Sequence, residues 1–243
     1  MPKLLNPTLL ATVYDAASKK IAAREIPTTV IGTNSFVYRS INPNSPYTLL
    51  PEPVPPAKHV SKVTANKLLV GPDEAVELGN RFSGPSRNGH IRGAGALYCV
   101  QQQQALMNES MHYSGKNGAW ALGGRCVLKI RILGSMMVAE LSPHNPAAMR
   151  FLKSLGKEIW EKMNDPADCS VARGIGLAIA NSGYLRGISV QTVRESERSD
   201  EERGDNLVLY GAGSNQISGT TVDEAWYYSN KSQTPTMYIA SFP

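Results

Sequence analysis

Apolar positions near the start of the chain recur at helical spacing. Leu9, Leu10, Val13, Ala17 and Ile21 fall on one face, and lysine and arginine gather toward the end of the run. The pattern predicts a helix over 8–24, stopped by Pro27. Short apolar runs predict strands at 30–31, 36–39 and 96–100. Residues 126–133 alternate apolar side chains with Lys129 and Arg131, as a half-buried strand does, and 136–141 predicts the next strand. Helices are expected over 101–113, which holds strong helix formers and no breaker, and over 146–163, with Pro146 in the first turn. A further helix over 171–181 carries Gly174, Gly176, Ala178 and Ala180, small residues that suit close packing, and Gly183 ends it. Strands follow at 187–193 and 206–210, with a densely charged loop at 195–205 between them and a last strand at 237–239. The proline-rich stretch 42–58 reads as a surface loop, 73–78 as a helical turn and 116–118 as a turn. Strands interspersed with helices, without an internal repeat or a clear linker, predict one α+β domain.

Composition narrows the class. The chain has 243 residues, 42% of them apolar, enough for one sizeable core. Its net charge of +5 is scattered, with no basic block interleaved with aromatics, so a nucleic-acid partner is not expected. No apolar run reaches the length of a membrane span, and residues 1–10 lack the form of a secretory signal. Cys99, Cys126 and Cys169 stand far apart in apolar surroundings and read as buried reduced thiols, in keeping with a cytoplasmic site of action.

The candidate chemistry lies in Gly79-Asn80-Arg81-Phe82-Ser83-Gly84-Pro85, then Tyr98, then Glu109 on the next helix. Arginine offers a rigid fork of donors that matches phosphate oxygens, and the flanking glycines permit close approach of a ligand to the backbone. A surface arginine in a turn fits the same spacing. Tyr98 can stack on a base or a nicotinamide ring, or be a core tyrosine with a satisfied hydroxyl. Glu109, with Ala105, Leu106, His112 and Tyr113 one turn away, is either a half-buried carboxylate with a purpose or a solvated one. His112 reads as a helix-end histidine or an acid–base group. His59, His90 and His144 lack partners at metal-ligand spacing, so no metal is expected. Neither a Gly-x-Ser-x-Gly elbow nor a P-loop occurs, and Gly174-Ile175-Gly176 lies inside a helical pattern, where it fails as a dinucleotide fingerprint.

In order, these elements resemble the RES domain, the toxin half of Xre–RES toxin–antitoxin pairs, over residues 36–212. The resemblance rests on Tyr38-Arg39, on the Arg81 turn, on Leu97-Tyr98-Cys99 and on the helix reaching Glu109. It continues through Gly183-Tyr184-Leu185-Arg186-Gly187-Ile188, Gln191-Thr192-Val193-Arg194 and Asn206-Leu207-Val208-Leu209-Tyr210. The chain departs from the pattern in a longer stretch between Arg81 and Tyr98, which keeps Arg87 and Arg92 as alternative turn arginines. It also has Thr192 where many members have serine.

The resemblance implies an ADP-ribosyltransferase-like fold, a split and mostly antiparallel β core with flanking helices. It sets 1–34 apart as a helical extension, 35–213 as the catalytic domain and 214–243 as a tail packed on it. It implies degradation of NAD+ by cleavage of the nicotinamide–ribose bond, as glycohydrolase or phosphorylase. ADP-ribosyl transfer to a macromolecule and non-catalytic dinucleotide binding are the alternatives. In that scheme Arg39 and Arg81 hold the pyrophosphate, Tyr98 packs on the nicotinamide end, Thr192 lines the pocket and Glu109 lies by the ribose. A neutralising antitoxin or immunity protein is the implied partner, and delivery by a route without a signal peptide stays open.

Overall fold

A computed structural model of the chain describes residues 5–41, 81–86, 88–102, 125–142, 144–163, 165, 168–191, 205–210, 220–228 and 237–241. Within them the strands are β1 (Thr28–Ile31), β2 (Phe36–Ile41), β3 (Ala96–Val100), β4 (Arg125–Ile132), β5 (Met136–Glu140), β6 (Gly187–Gln191), β7 (Asp205–Tyr210), β8 (Thr220–Tyr228) and β9 (Met237–Ser241). The helices are α1 (Pro7–Ala22), α2 (Pro146–Ser154), α3 (Lys157–Lys162) and α4 (Ser170–Ala180). The readings at 42–58, 73–78 and 116–118, most of the helix at 101–113 and nearly all of the loop at 195–205 lie outside the described residues.

The strands make one nine-stranded sheet in the order β1-β5-β6-β7-β3-β2-β4-β8-β9. Every neighbouring pair is antiparallel except β5 and β6, which α2, α3 and α4 connect as a crossover. The chain is therefore a mixed α+β protein with a mostly antiparallel sheet. β3 pairs with β7 over five residues and β2 with β4 over six, while among the described residues β2 meets β3 only at Tyr38 and Val100. No helix among the described residues is long and apolar enough to cross a membrane.

The helices cover one face of the sheet. Val13, Ala17 and Ile21 of α1 pack into a core with Phe151, Leu152, Val171, Ile175, Ile188, Val208 and Tyr210. The N-terminal segment is thus built into this core, and β1 extends the sheet through β5. Gly174 lets α1 and α4 approach, since a Cβ there would stand 2.8 Å from the Leu10 carbonyl oxygen. Gly176 does the same toward the Arg81 turn, where a Cβ would stand 2.1 Å from the Phe82 carbonyl oxygen. The two glycines serve helix packing, as their spacing suggested.

Three local readings change. Helix α1 ends at Ala22, ahead of Pro27, because Arg24 adopts φ 60° and closes a Schellman motif: Glu25 N–H donates to Lys20 (2.9 Å) and Arg24 N–H to Ile21 (3.0 Å). The Arg24 guanidinium lies 3.5 Å from the centre of the Tyr184 ring, which offsets the cost of a left-handed side-chain-bearing residue. The helix expected over 146–163 is two helices, broken at Gly156 with φ 132°. The tail holds a second strand, β8, whose Asp223 and Glu224 disguised it. They pair across to Arg131 (2.9 Å) and Lys129 (2.8 Å) of β4.

Replacing Gly176 with alanine is expected to lower unfolding free energy by about 3 kcal/mol or more, because backbone stands where the methyl would go. Gly89→Ala, with nothing within 4 Å of the added carbon, should change it by less than about 0.5 kcal/mol. Urea unfolding of both variants checks this, and equal midpoints would contradict the packing argument.

Candidate functional site

Residues 81–84 form a turn held at its peptide groups. Phe82 N–H donates to Tyr98 Oη on β3 (2.9 Å), and Tyr210 Oη on β7 donates to the Phe82 carbonyl (2.9 Å). The register pairs Ala96 with Tyr210 and Tyr98 with Val208, so both tyrosines rise from the helix-covered face. Tyr98 Oη also lies 3.2 Å from the buried Ser83 Oγ. The Phe82 ring is buried in the core. Gly84, at φ 120°, then exchanges hydrogen bonds with Ala94 (2.7 and 3.3 Å), closing off the intervening loop. Ile91 of that loop packs with Leu10 and Leu177, which accounts for the extra length between Arg81 and Tyr98.

Arg81 is half-buried, and its Nη2 donates to the Met163 carbonyl just past the end of α3, a favourable place for a cation. Burial pulls its guanidinium below the ordinary arginine range, with Tyr98 acting the other way. It remains a cation at neutral pH. Burial pushes the Tyr98 phenol up; hydrogen bonds with Ser83 and Phe82, then the charges of Arg173 and Arg81, draw it part of the way back. Tyr210, fully enclosed and beside Tyr98, is pushed well above the ordinary phenol value. The turn therefore gathers the hydroxyls of Ser83, Tyr98 and Tyr210 and carries the Arg81 guanidinium, a cation suited to an anionic ligand.

The structure brings Arg81 to Tyr98. Arg92 is exposed, its carbonyl accepting from Asn181 Nδ2 (3.1 Å), and Arg87 lies outside the described residues. Arg39 is not on the same face: it pairs with Leu128, lies near Cys99, and is separated from Tyr98 by the sheet. Burial lowers its guanidinium too, against the influence of Cys99. Glu109, His112, His59 and Thr192 lie outside the described residues. His90 and His144 are exposed. The Cys99 thiol donates to the Leu207 carbonyl (3.3 Å) and burial pushes it up to about 12, so it is no nucleophile at neutral pH. Cys169 is buried as well, and the Cys126 side chain lies outside the described residues.

Arg173 of α4 was not singled out in the sequence, and Tyr210 entered only as the end of the Asn206-Leu207-Val208-Leu209-Tyr210 segment. Arg173 is only 5% exposed, and a charge in the middle of Val171 to Ile179, otherwise without a charged side chain, was the available signal. Comparison with protein-family models finds none that matches the chain, and comparison with curated proteins finds no match.

The two phenols give a pH prediction. Both hold their proton more tightly in the folded chain, so their contribution to stability is complete below about pH 10, the unfolded phenol value, and is lost as pH rises through the folded values. Urea midpoints should fall above about pH 10, and less steeply in Tyr210→Phe than in the parent chain. At neutral pH that variant should lose about 1–3 kcal/mol by leaving the Phe82 carbonyl without its donor. Parallel curves for the two proteins would refute the assignment.

Proposed function

We propose that the chain is an NAD+-degrading enzyme that cleaves the nicotinamide–ribose bond and acts as a toxin of the RES type. The observation that carries the reading is the Arg81–Tyr98 turn. The turn that carries Arg81 is hydrogen-bonded to the Tyr98 hydroxyl, and the two side chains lie within electrostatic reach of each other, which supports the reading. In this reading Arg81 holds the pyrophosphate of the dinucleotide and Tyr98 borders the nicotinamide end. Tyr98 acts by fixing the turn as much as by stacking, since its hydroxyl is engaged by Phe82 and Ser83. Arg39, on the other face of the sheet, has no part in this reading.

The bond breaks by departure of neutral nicotinamide from a cationic ring, so charge accumulates on the ribose as in glycoside cleavage. Glu109 supplies the carboxylate that stabilises this oxocarbenium-like charge, and Thr192 lines the pocket. Arginine contacts at the far end hold the scissile bond against that carboxylate. The chemistry calls for no metal. Water as acceptor makes the enzyme a glycohydrolase and phosphate a phosphorylase. Because such an activity harms the cell that makes it, a neutralising antitoxin or immunity protein belongs to the same proposal.

Purified protein is expected to release nicotinamide from NAD+. Glu109→Gln should reduce the rate at least about 100-fold while the melting temperature is kept. Chromatography of the products with and without phosphate identifies the acceptor, and adenine-derived label that stays on protein or nucleic acid would mark ADP-ribosyl transfer instead. No release under either condition, or full activity in the glutamine variant, would overturn the proposal.

A further inference from the structure

We propose that the chain pairs with a second copy of itself through the free edge of β1, joining two sheets across a two-fold axis. Strand β1 ends the sheet on one side, with β5 as its neighbour. Antiparallel pairs alternate between residues that exchange hydrogen bonds and residues that do not. Glu140 N–H donates to the Pro27 carbonyl (2.9 Å), so Thr29 with Val138 and Ile31 with Met136 are the bonding pairs that follow. In keeping with this, the Met137 carbonyl accepts from Arg186 N–H (2.8 Å) at the start of β6 and turns away from Val30. The N–H and C=O groups of both Thr28 and Val30 therefore point outward from the sheet, and among the described residues no hydrogen bond engages them.

Strand edges that stay single in solution are usually guarded by charges, prolines or bulges. Thr28–Ile31 has no charged residue and no proline, and its register with β5 runs unbroken. Toward the opposite edge the register shifts at Lys129/Ile130 and again at Ala225/Trp226. The β1 edge also carries an apolar pair in solvent: Val30 is 58% exposed, and Met137 across from it 41%. A second copy is the occupant because this edge is its own complement. With the Thr29 residues of two copies opposite each other, Thr28 of each lies opposite Val30 of the other. Every outward donor then meets an outward acceptor, the isologous contact that a two-fold axis produces. No like charges meet along the strand, and each Val30 is covered by a threonine. A charged partner would find no counter-charge on this edge.

The test uses the full chain. Sedimentation velocity from about 1 to about 300 μM should show a reversible monomer–dimer equilibrium. Val30→Pro removes an outward donor while leaving the ladder with β5 intact, and Val30→Lys places a charge on the edge; each should weaken the dimer at least about tenfold with the monomer still folded. Under mild oxidation Thr29→Cys should form a covalent dimer about tenfold faster than Val30→Cys. Only position 29 faces its own copy, at the close spacing of about 4.5 Å between Cα atoms that a disulfide spans. Should Val30→Pro not fold, the lysine variant and the crosslinking still decide. A chain that stays monomeric over the whole range overturns the proposal, even if an extended peptide of another protein adds to the edge. So does a dimer that both Val30 variants leave intact, or one that crosslinks better through position 30 than through position 29.

Discussion

The peptide group of Phe82 is gripped from both sides. Tyr98 takes its N–H, Tyr210 supplies a proton to its carbonyl, and Gly176 withholds the side chain that would collide with it. Buried peptide groups must find partners, and here both partners come from adjacent positions on paired strands. The turn carrying Arg81 is consequently tied to the sheet through β3 and β7 and to the helical layer through α4. The position of the guanidinium thus follows from the core rather than from the loop's own preferences. An arginine on an unrestrained turn would lose rotamer freedom on meeting a ligand, whereas this one is already held, in part by the Met163 carbonyl.

The same tie explains the small residues of α4. A helix that comes so close to both a neighbouring helix and a peptide group needs positions without side chains on two of its faces. Gly174 faces α1 and Gly176 faces the turn. A pattern that can be mistaken for a cofactor fingerprint is here a packing device.

Much of the fold was legible because the hydrophobic periodicity is strong. The strand at 96–100 and the helix near 171–180 coincide with their patterns nearly residue for residue. What escaped was decided by contacts between distant segments. Asp223 and Glu224 look like a charged tail until Arg131 and Lys129 are seen opposite them. Gly156 breaks a helix by its backbone angle, which composition does not reveal. The nearness of Arg81 and Tyr98 was foreshadowed by their order along the chain. The capture of the Tyr98 hydroxyl by the Phe82 peptide was not, because it depends on how the loop folds back at Gly84 and Ala94. Arg39 illustrates the reverse: the resemblance implied that it joins Arg81 and Tyr98, and the register sends the Arg39 and Tyr98 side chains to opposite faces.

The lone pairing of Tyr38 with Val100 has a mechanical consequence. Elsewhere in the sheet, separating neighbours means breaking several rungs at once, each contributing of the order of 1 kcal/mol. Between β2 and β3 the described residues show a single rung. Among the described residues, the sheet is therefore least tied together along this line, beside the strand that holds Tyr98.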